Sequence, residues 1–184
     1  MKKVYAFLAD GLEEVECLAV ADVLIRGGVE VSLISVTEQR EVTGSHGITI
    51  KTDKLFGEIH PEEADVLFLP GGMPGTKNLL AHTGLCEALK SAVSGGRRVA
   101  AICAAPSVLG ALGLLEGRRA TCYPGFEDQL LGAAYTHDGV VTDGPVTTGR
   151  GLGYALDLGL ELVRLLVDES ASAGVKSAIQ YDQC

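Results

Sequence analysis

Apolar residues in this chain fall into two spacings. Short runs in which nearly every position is apolar alternate with longer stretches in which apolar residues recur every three or four positions. The first pattern reads as a strand buried on both faces, the second as a helix with one covered face. Residues 3–9 and 29–36 are buried strands on this reading, and residues 13–26 between them form a helix stopped at Gly27-Gly28. Residues 42–53, VTGSHGITIKTD, combine glycine turn signals with β-branched residues and predict a small hairpin excursion. Residues 64–69 are a fully apolar strand closed by Pro70-Gly71-Gly72, and a helix is expected over 76–93. A further buried strand is expected over 97–102 and a helix over 105–115. A strand over 119–123, a short helix over 127–134 and a last short strand over 145–148 follow. Residues 153–168 are strongly amphipathic, with Leu156, Leu160, Val163 and Leu166-Val167 along one stripe.

Strands alternating with helices predict an α/β fold, a mostly parallel sheet covered by helices on both faces. At 184 residues, with no repeat and no linker, residues 1–184 are expected to form a single domain. Ligands of such folds bind beyond the carboxyl ends of the strands. The residues to weigh are therefore 10–16, 70–75, 103–106, Tyr123-Pro124 and 149–153.

Charge narrows the function classes. Acidic residues outnumber basic ones 24 to 15, a formal net charge of −9. No nucleic-acid or membrane partner is expected, since both need a cationic face. Five scattered cysteines, an odd number, argue against a disulfide scaffold and for a reduced, cytoplasmic setting. The apolar start ends at Asp10, short of the ~7–15 residues of a signal-peptide core, and no run approaches the ~20 needed to span a bilayer. No metal site is expected, because no two cysteines have CxxC spacing and the four histidines are dispersed.

Cys103 is the residue best placed for chemistry. It follows the 97–102 strand and precedes a helix with Pro106 in its first turn. Alanines at −2 and +2 leave room for the sharp strand-to-helix turn of a nucleophile elbow. Unpaired N–H groups at the helix start are expected to lower the thiol pKa. The other cysteines read as bystanders: Cys17 on the apolar first helix, Cys86 on a core face with Leu89 and Val93, Cys122 inside a strand, and Cys184 at the last position.

Glu13 and Glu14 sit in the first helical turn, where acids complement the dipole. Glu16 has Ala19, Val20 and Val23 as its i+3, i+4 and i+7 neighbours. A carboxyl buried there has its pKa raised and becomes a proton donor near neutrality. A surface glutamate on a misassigned face fits the same periodicity. Two amides at Gly71 and Gly72 beside a thiolate would make an oxyanion pocket, and a plain tight turn fits those glycines equally. The GRGLG segment, 149–153, lacks the lysine and hydroxyl residue of a phosphate loop.

The strings LADGLEEVE, ADVLFLPGGMPGTKNL and VAAICAAP, taken in order, resemble the DJ-1/ThiJ/PfpI superfamily over essentially the whole chain. The resemblance is closest to the branch of the Parkinsonism-associated deglycase and its bacterial ThiJ/YajL relatives. It implies a flavodoxin-like three-layer α/β sandwich and a homodimer. It also implies that Cys103 is the elbow cysteine and Glu16 the protonated acid hydrogen-bonded to it. Gly72 and Ala104 would then lend backbone N–H groups to an anion pocket. The implied activity is glyoxalase III-type or deglycase-like, on small reactive carbonyls such as methylglyoxal, without glutathione, metal or other cofactor. A redox sensor or redox-regulated chaperone using the same thiol is the alternative. The thiazole monophosphate biosynthesis label that ThiJ-like chains carry finds no support in the residues.

This chain departs from its relatives at two places. Some have a histidine just before the proline where it has Tyr123-Pro124, and a phenol with a reference pKa of ~10 cannot act as that base. The PfpI-type proteases have a histidine directly after the cysteine, where this chain has Ala104. A Cys-His protease triad is therefore not expected. His46 falls where relatives carry a polar or basic residue at the site rim, and reads otherwise as an exposed hairpin histidine. Arg150 falls in a segment that relatives use close to the dimer interface.

Overall fold

In a computed structural model, residues 1–181 are described. Strands β1 (Lys3–Leu8), β2 (Glu30–Ser35), β3 (Glu41–Thr43), β4 (Thr49–Lys51), β5 (Lys54–Leu55) and β6 (Val66–Leu69) precede β7 (Arg98–Ile102). After it come β8 (Arg119–Ala120), β9 (Ala134–Tyr135), β10 (Val140–Asp143) and β11 (Val146–Gly149). The helices are α1 (Glu14–Arg26), α2 (Gly75–Ala81), α3 (Thr83–Ser94), α4 (Pro106–Ala111), α5 (Ala155–Leu166) and α6 (Glu169–Ala178). Seven strands form the central sheet in the order β10-β11-β7-β6-β1-β2-β5. All neighbours run parallel except β10 against β11. This is the expected mostly parallel α/β sandwich.

Burial explains why the strands look uniformly apolar. Along β1, Tyr5 and Phe7 enter one core cluster while Val4, Ala6 and Leu8 enter the other. On β6, Leu67 and Leu69 face the first cluster, and Val66 and Phe68 the second. The period of two persists, but both faces are covered, so the alternation is invisible in hydropathy. The first cluster is completed by Leu79, Leu85 and Leu89 from α2 and α3, the second by Val20 and Val23 of α1 and Leu158, Leu162 and Val163 of α5. Helices α1 and α5 meet through glycines: a β-carbon at Gly159 would lie 2.7 Å from Val23 Cβ, and one at Gly27 2.6 Å from Val163 Cγ2.

The chain winds from β1 to β2 on one side and then returns to place β6 on the other side of β1. The strand order therefore reverses between β1 and β6, where open α/β sheets leave a crevice at their carboxyl ends.

Several local expectations are corrected. The single helix over 76–93 is two helices, because His82 breaks it and its ring nitrogen Nδ1 accepts from the Leu85 N–H to cap α3. Cys86 is half-buried, and the covered stripe of α3 is Leu85, Leu89 and Ala92. The strand over 119–123 pairs only at Arg119–Ala120, so Cys122 is buried beyond its end. The helix over 127–134 reduces to one 3₁₀ turn, Glu127–Gln129. β10 was not anticipated. The long terminal helix stops at Leu166, and Asp168 caps a separate α6 by accepting from the Ala171 N–H. Cys184 lies outside the described residues. Among those, no helix is long and apolar enough to cross a membrane.

Candidate active site

Three chain segments meet at the crevice: the start of α1 after β1, the Pro70-Gly71-Gly72 turn after β6, and Cys103 after β7. Cys103 is partly buried and holds φ at 63°, a left-handed conformation rare outside glycine. Its neighbours hold it there: the Cys103 N–H donates to the Gly149 carbonyl at 2.9 Å, and its carbonyl accepts from the Tyr123 N–H at 2.8 Å. Strain of this kind persists only where surrounding structure over-determines it, and it gathers at functional turns. The left-handed φ falls at the sharp strand-to-helix turn that the flanking alanines predict.

Glu16 is buried, 1% exposed, on the covered side of α1. This decides between the two readings that periodicity left open. Its Oε2 accepts from the Gly71 N–H at 3.0 Å, and its carboxyl is hydrogen-bonded to the Cys103 thiol and to the Leu152 backbone. Gly71 has to be glycine here, since a β-carbon would lie 2.6 Å from both Glu16 Oε2 and Cys103 Cβ. Gly72, at φ +89°, lies against the backbone of Leu12 and Glu13. The Gly72 and Ala104 N–H groups both hydrogen-bond to Cys103. The acid, the thiol and the two amides are therefore brought together.

Burial, joined by the charge of Glu13, pushes the Glu16 carboxyl up to about 7, against the hydrogen bonds it receives. The expected lowering of the Cys103 pKa is not what the site produces. Burial and the facing Glu16 carboxylate push the thiol up to about 12, and the Ala104 and Gly72 amides pull it only partly back. The following helix is six residues long and begins three positions later, so its dipole contributes little. That high value belongs to a thiol facing an ionised acid. Once Glu16 holds its proton, the repulsion is gone and its O–H donates to sulfur, so the two groups titrate as a pair. Burial, joined by the charges of Glu13 and Glu16, pushes Cys17 up to about 12, and burial joined by Glu127 pushes Cys122 up to about 11.

Glu13 and Glu14 do more than complement the helix dipole. Glu13 caps α1, its Oε2 accepting from the Glu16 N–H at 2.7 Å. Glu14, 1% exposed, anchors the β3–β4 hairpin: it accepts from the His46 and Ile48 N–H groups and meets the His46 ring nitrogen Nδ1 at 2.9 Å. Periodicity could not reveal this, because the partners lie more than 30 residues away. His46 is an exposed hairpin histidine, with Nδ1 3.7 Å from Glu13 Oε1. Glu13, Glu14 and His46 are the one set of three or more ligand-type side chains that gathers within 4.8 Å among the described residues. The Glu14 oxygens in it are already occupied by those three contacts. Tyr123 and Arg150 line one surface crevice, and Arg150 Nη1 donates to the His137 carbonyl at 3.2 Å.

Residues 2–165 match the DJ-1/PfpI family. Protein DJ-1 homolog B of Arabidopsis thaliana is 37% identical over 97% of the chain and 41% of its own length. The chain thus spans less than half of that relative. A protein named deglycase from Pyrococcus abyssi is 36% identical over 89% of the chain and 99% of its own length. A protein named glutathione-independent glyoxalase from Caenorhabditis elegans is 34% identical over 84% of the chain and 82% of its length. Among solved structures, oxidised DJ-1 of Toxoplasma gondii superposes with a TM-score of 0.95 at 32% identity, over the full length of both chains.

Proposed function

The chain belongs to the DJ-1/PfpI family, and on that footing we propose that it is a cysteine-dependent enzyme of the glyoxalase III or deglycase type, acting on α-oxoaldehydes such as methylglyoxal. The observation that carries this reading is the Glu16 carboxyl, raised to about 7 and hydrogen-bonded to the Cys103 thiol at a strained turn. A group with that pKa can both give and take a proton near neutral pH.

The Cys103 sulfur attacks the aldehyde carbon. The S–C bond forms as the C=O π pair moves to oxygen, where the Gly72 and Ala104 amides stabilise the charge before it takes up a proton. Glu16 then removes the proton on that carbon, giving an enediol, and returns one to the adjacent carbon, while the hydroxyl proton of the first carbon is given up and the neighbouring oxygen keeps one, so that the thiohemiacetal becomes the isomeric 2-hydroxy thioester. Water cleaves the thioester, releasing lactate and restoring the thiol. Hydrogen moves between neighbouring carbons of one molecule, so the sequence balances without glutathione, metal or redox cofactor. The names of the Pyrococcus and Caenorhabditis relatives support this class. The test is lactate formation from methylglyoxal without glutathione. Wild type turns over and Cys103→Ser does not; full turnover by Cys103→Ser overturns the reading.

A redox-sensing role for the same thiol is the second reading. Cys103 is partly exposed and faces an acid able to donate to a sulfinate, whereas Cys17 and Cys122 are buried. Limited peroxide should place two oxygens on Cys103 before the other cysteines, and even oxidation of all five would count against it. A homodimer in the cytoplasm completes the proposal. Val15, Leu18 and Ile25 leave an exposed apolar stripe on α1, at 49%, 42% and 58%, which a second copy would cover. Sedimentation should report the dimer, and Leu18→Glu should shift it toward monomer.

A further inference from the structure

Glu13 stands between the dyad and the β3–β4 hairpin and touches both. Its N–H donates to the Gly71 carbonyl at 2.9 Å, and the Gly71 N–H donates to Glu16 Oε2 at 3.0 Å. Its own Oε2 accepts from the Glu16 N–H at 2.7 Å. Three hydrogen bonds thus close a ring that grips Glu16 at its backbone and at its carboxyl. The other Glu13 carboxylate oxygen, Oε1, lies 3.7 Å from Nδ1 of His46 on the hairpin, and that nitrogen also meets Glu14 Oε2 at 2.9 Å. The Glu13 side chain is 11% exposed and that of His46 67%, so one partner is sheltered beside the site and the other meets solvent.

A side-chain amide caps a helix start as well as a carboxylate does, so capping alone leaves the charge of Glu13 unused. That charge is held one hydrogen bond from the acid, and it adds to the burial that raises the Glu16 carboxyl. The titratable groups facing Glu13 are Glu14, Glu16 and Cys17 on its own helix and His46 on the hairpin, with Cys103 beyond Glu16. Of these, His46 is the one that can bring a positive charge. We propose that Glu13 is a positioning residue for the dyad, and that the charge on His46, acting on Glu13, sets how readily Glu16 and Cys103 give up their proton. A protonated His46 offsets the Glu13 charge and eases ionisation of the pair, and a neutral one leaves that charge to oppose it. The hydrogen bond to Glu14 holds His46 above its usual 6.5, so its charge changes in the range where the Glu16 carboxyl, raised to about 7, titrates. This rests on Cys103 and Glu16 being the reacting pair of the function proposed above.

The pH profile of Cys103 alkylation by iodoacetamide reads the pair without turnover, since the ionised sulfur displaces iodide. Mass spectrometry of the Cys103 peptide follows the rate. Glu13→Gln keeps an oxygen to cap α1 and removes the charge, so the midpoint of the profile should fall by at least ~0.5 pH unit. His46→Gln should raise the midpoint, and His46→Lys, charged throughout, should return it to the wild-type value or below. His46 is exposed, so both of its variants leave the core intact. Raising the salt to ~1 M should shrink the difference between them, because an exposed charge is screened, whereas a purely structural difference would persist. The kcat/KM profile for lactate formation should shift in the same directions. Shifted alkylation midpoints with no lactate formed by wild type would uphold the tuning and overturn the enzymatic reading. An unmoved midpoint in Glu13→Gln overturns the role of Glu13. Equal midpoints in His46→Gln and His46→Lys, or a difference that salt leaves unchanged, overturn that of His46.

Discussion

The Gly71 N–H donates to Glu16 Oε2 at 3.0 Å, and a β-carbon on Gly71 would lie 2.6 Å from that same oxygen. One glycine thus supplies the hydrogen bond and the space that bring the acid to the thiol. Gly71→Ala should push Glu16 and Cys103 apart. Displacements of about 1 Å at a reacting pair cost on the order of 10²-fold in rate, so lactate formation should fall by about that factor in a protein that still folds. An alanine variant with wild-type turnover would show that the close contact is dispensable.

Glu16 gives stability a defined pH dependence. Its carboxyl has an ordinary value of 4.5 and a folded value of about 7. Below 4.5 it is protonated whether the chain is folded or not, and its favourable contribution is fully present. That contribution is lost as pH rises through 7, because the folded protein must then bury a carboxylate. At ~1.4 kcal/mol per pH unit this amounts to at most about 3.5 kcal/mol. Glu16→Gln cannot ionise. It should melt higher than wild type at pH 8, with the gap narrowing toward pH 5, while catalysis is severely reduced. A gap that is constant with pH would contradict this account.

The α1–α5 contact sets a second stability test. Gly174 in α6 has open space where a β-carbon would go, whereas Gly159 in α5 would place one 2.7 Å from Val23 Cβ. Alanine gains up to ~1 kcal/mol over glycine in a helix, but overpacking a core costs ~1–3 kcal/mol. Gly174→Ala should be neutral or stabilising in denaturant unfolding, and Gly159→Ala should be destabilising. Equal midpoints for the two variants would show that the contact relaxes freely.

The β3–β4 hairpin should be held most firmly in mildly acidic solution. Although burial opposes it, hydrogen bonds from the His46 ring and from the His46 and Ile48 amides hold the Glu14 carboxyl below its usual 4.5. The same contact holds His46 above its usual 6.5. Glu14 stabilises the hairpin above 4.5 and loses that effect as pH falls, and His46 contributes below 6.5 and loses its effect as pH rises. Protection factors for the His46 and Ile48 amides, corrected for intrinsic exchange, should peak between those values. Protection that does not vary with pH would mean that the Glu14–His46 pair does not anchor the hairpin.

The order of the main strands and helices was legible along the chain. Burial on both faces makes a parallel strand continuously apolar, and glycine and proline mark where each run stops. The placement of Cys103 beyond β7, and of Gly71-Gly72 beyond β6, followed from that order alone. Features that depend on distant partners were not legible. Glu13, Glu14 and Glu16 look alike in a helical first turn, yet one caps the helix, one anchors a hairpin over 30 residues away, and one is pressed against a thiol. The break at His82 depends on a side-chain nitrogen capping the next helix. The thiol's acidity was misjudged from its local position, because burial and a facing carboxyl outweigh a short helix start. Hydropathy and turn residues act through neighbours along the chain, so they write the fold into the sequence. A buried group's proton affinity is set by whatever packing brings within a few ångströms, and only the folded chain determines that.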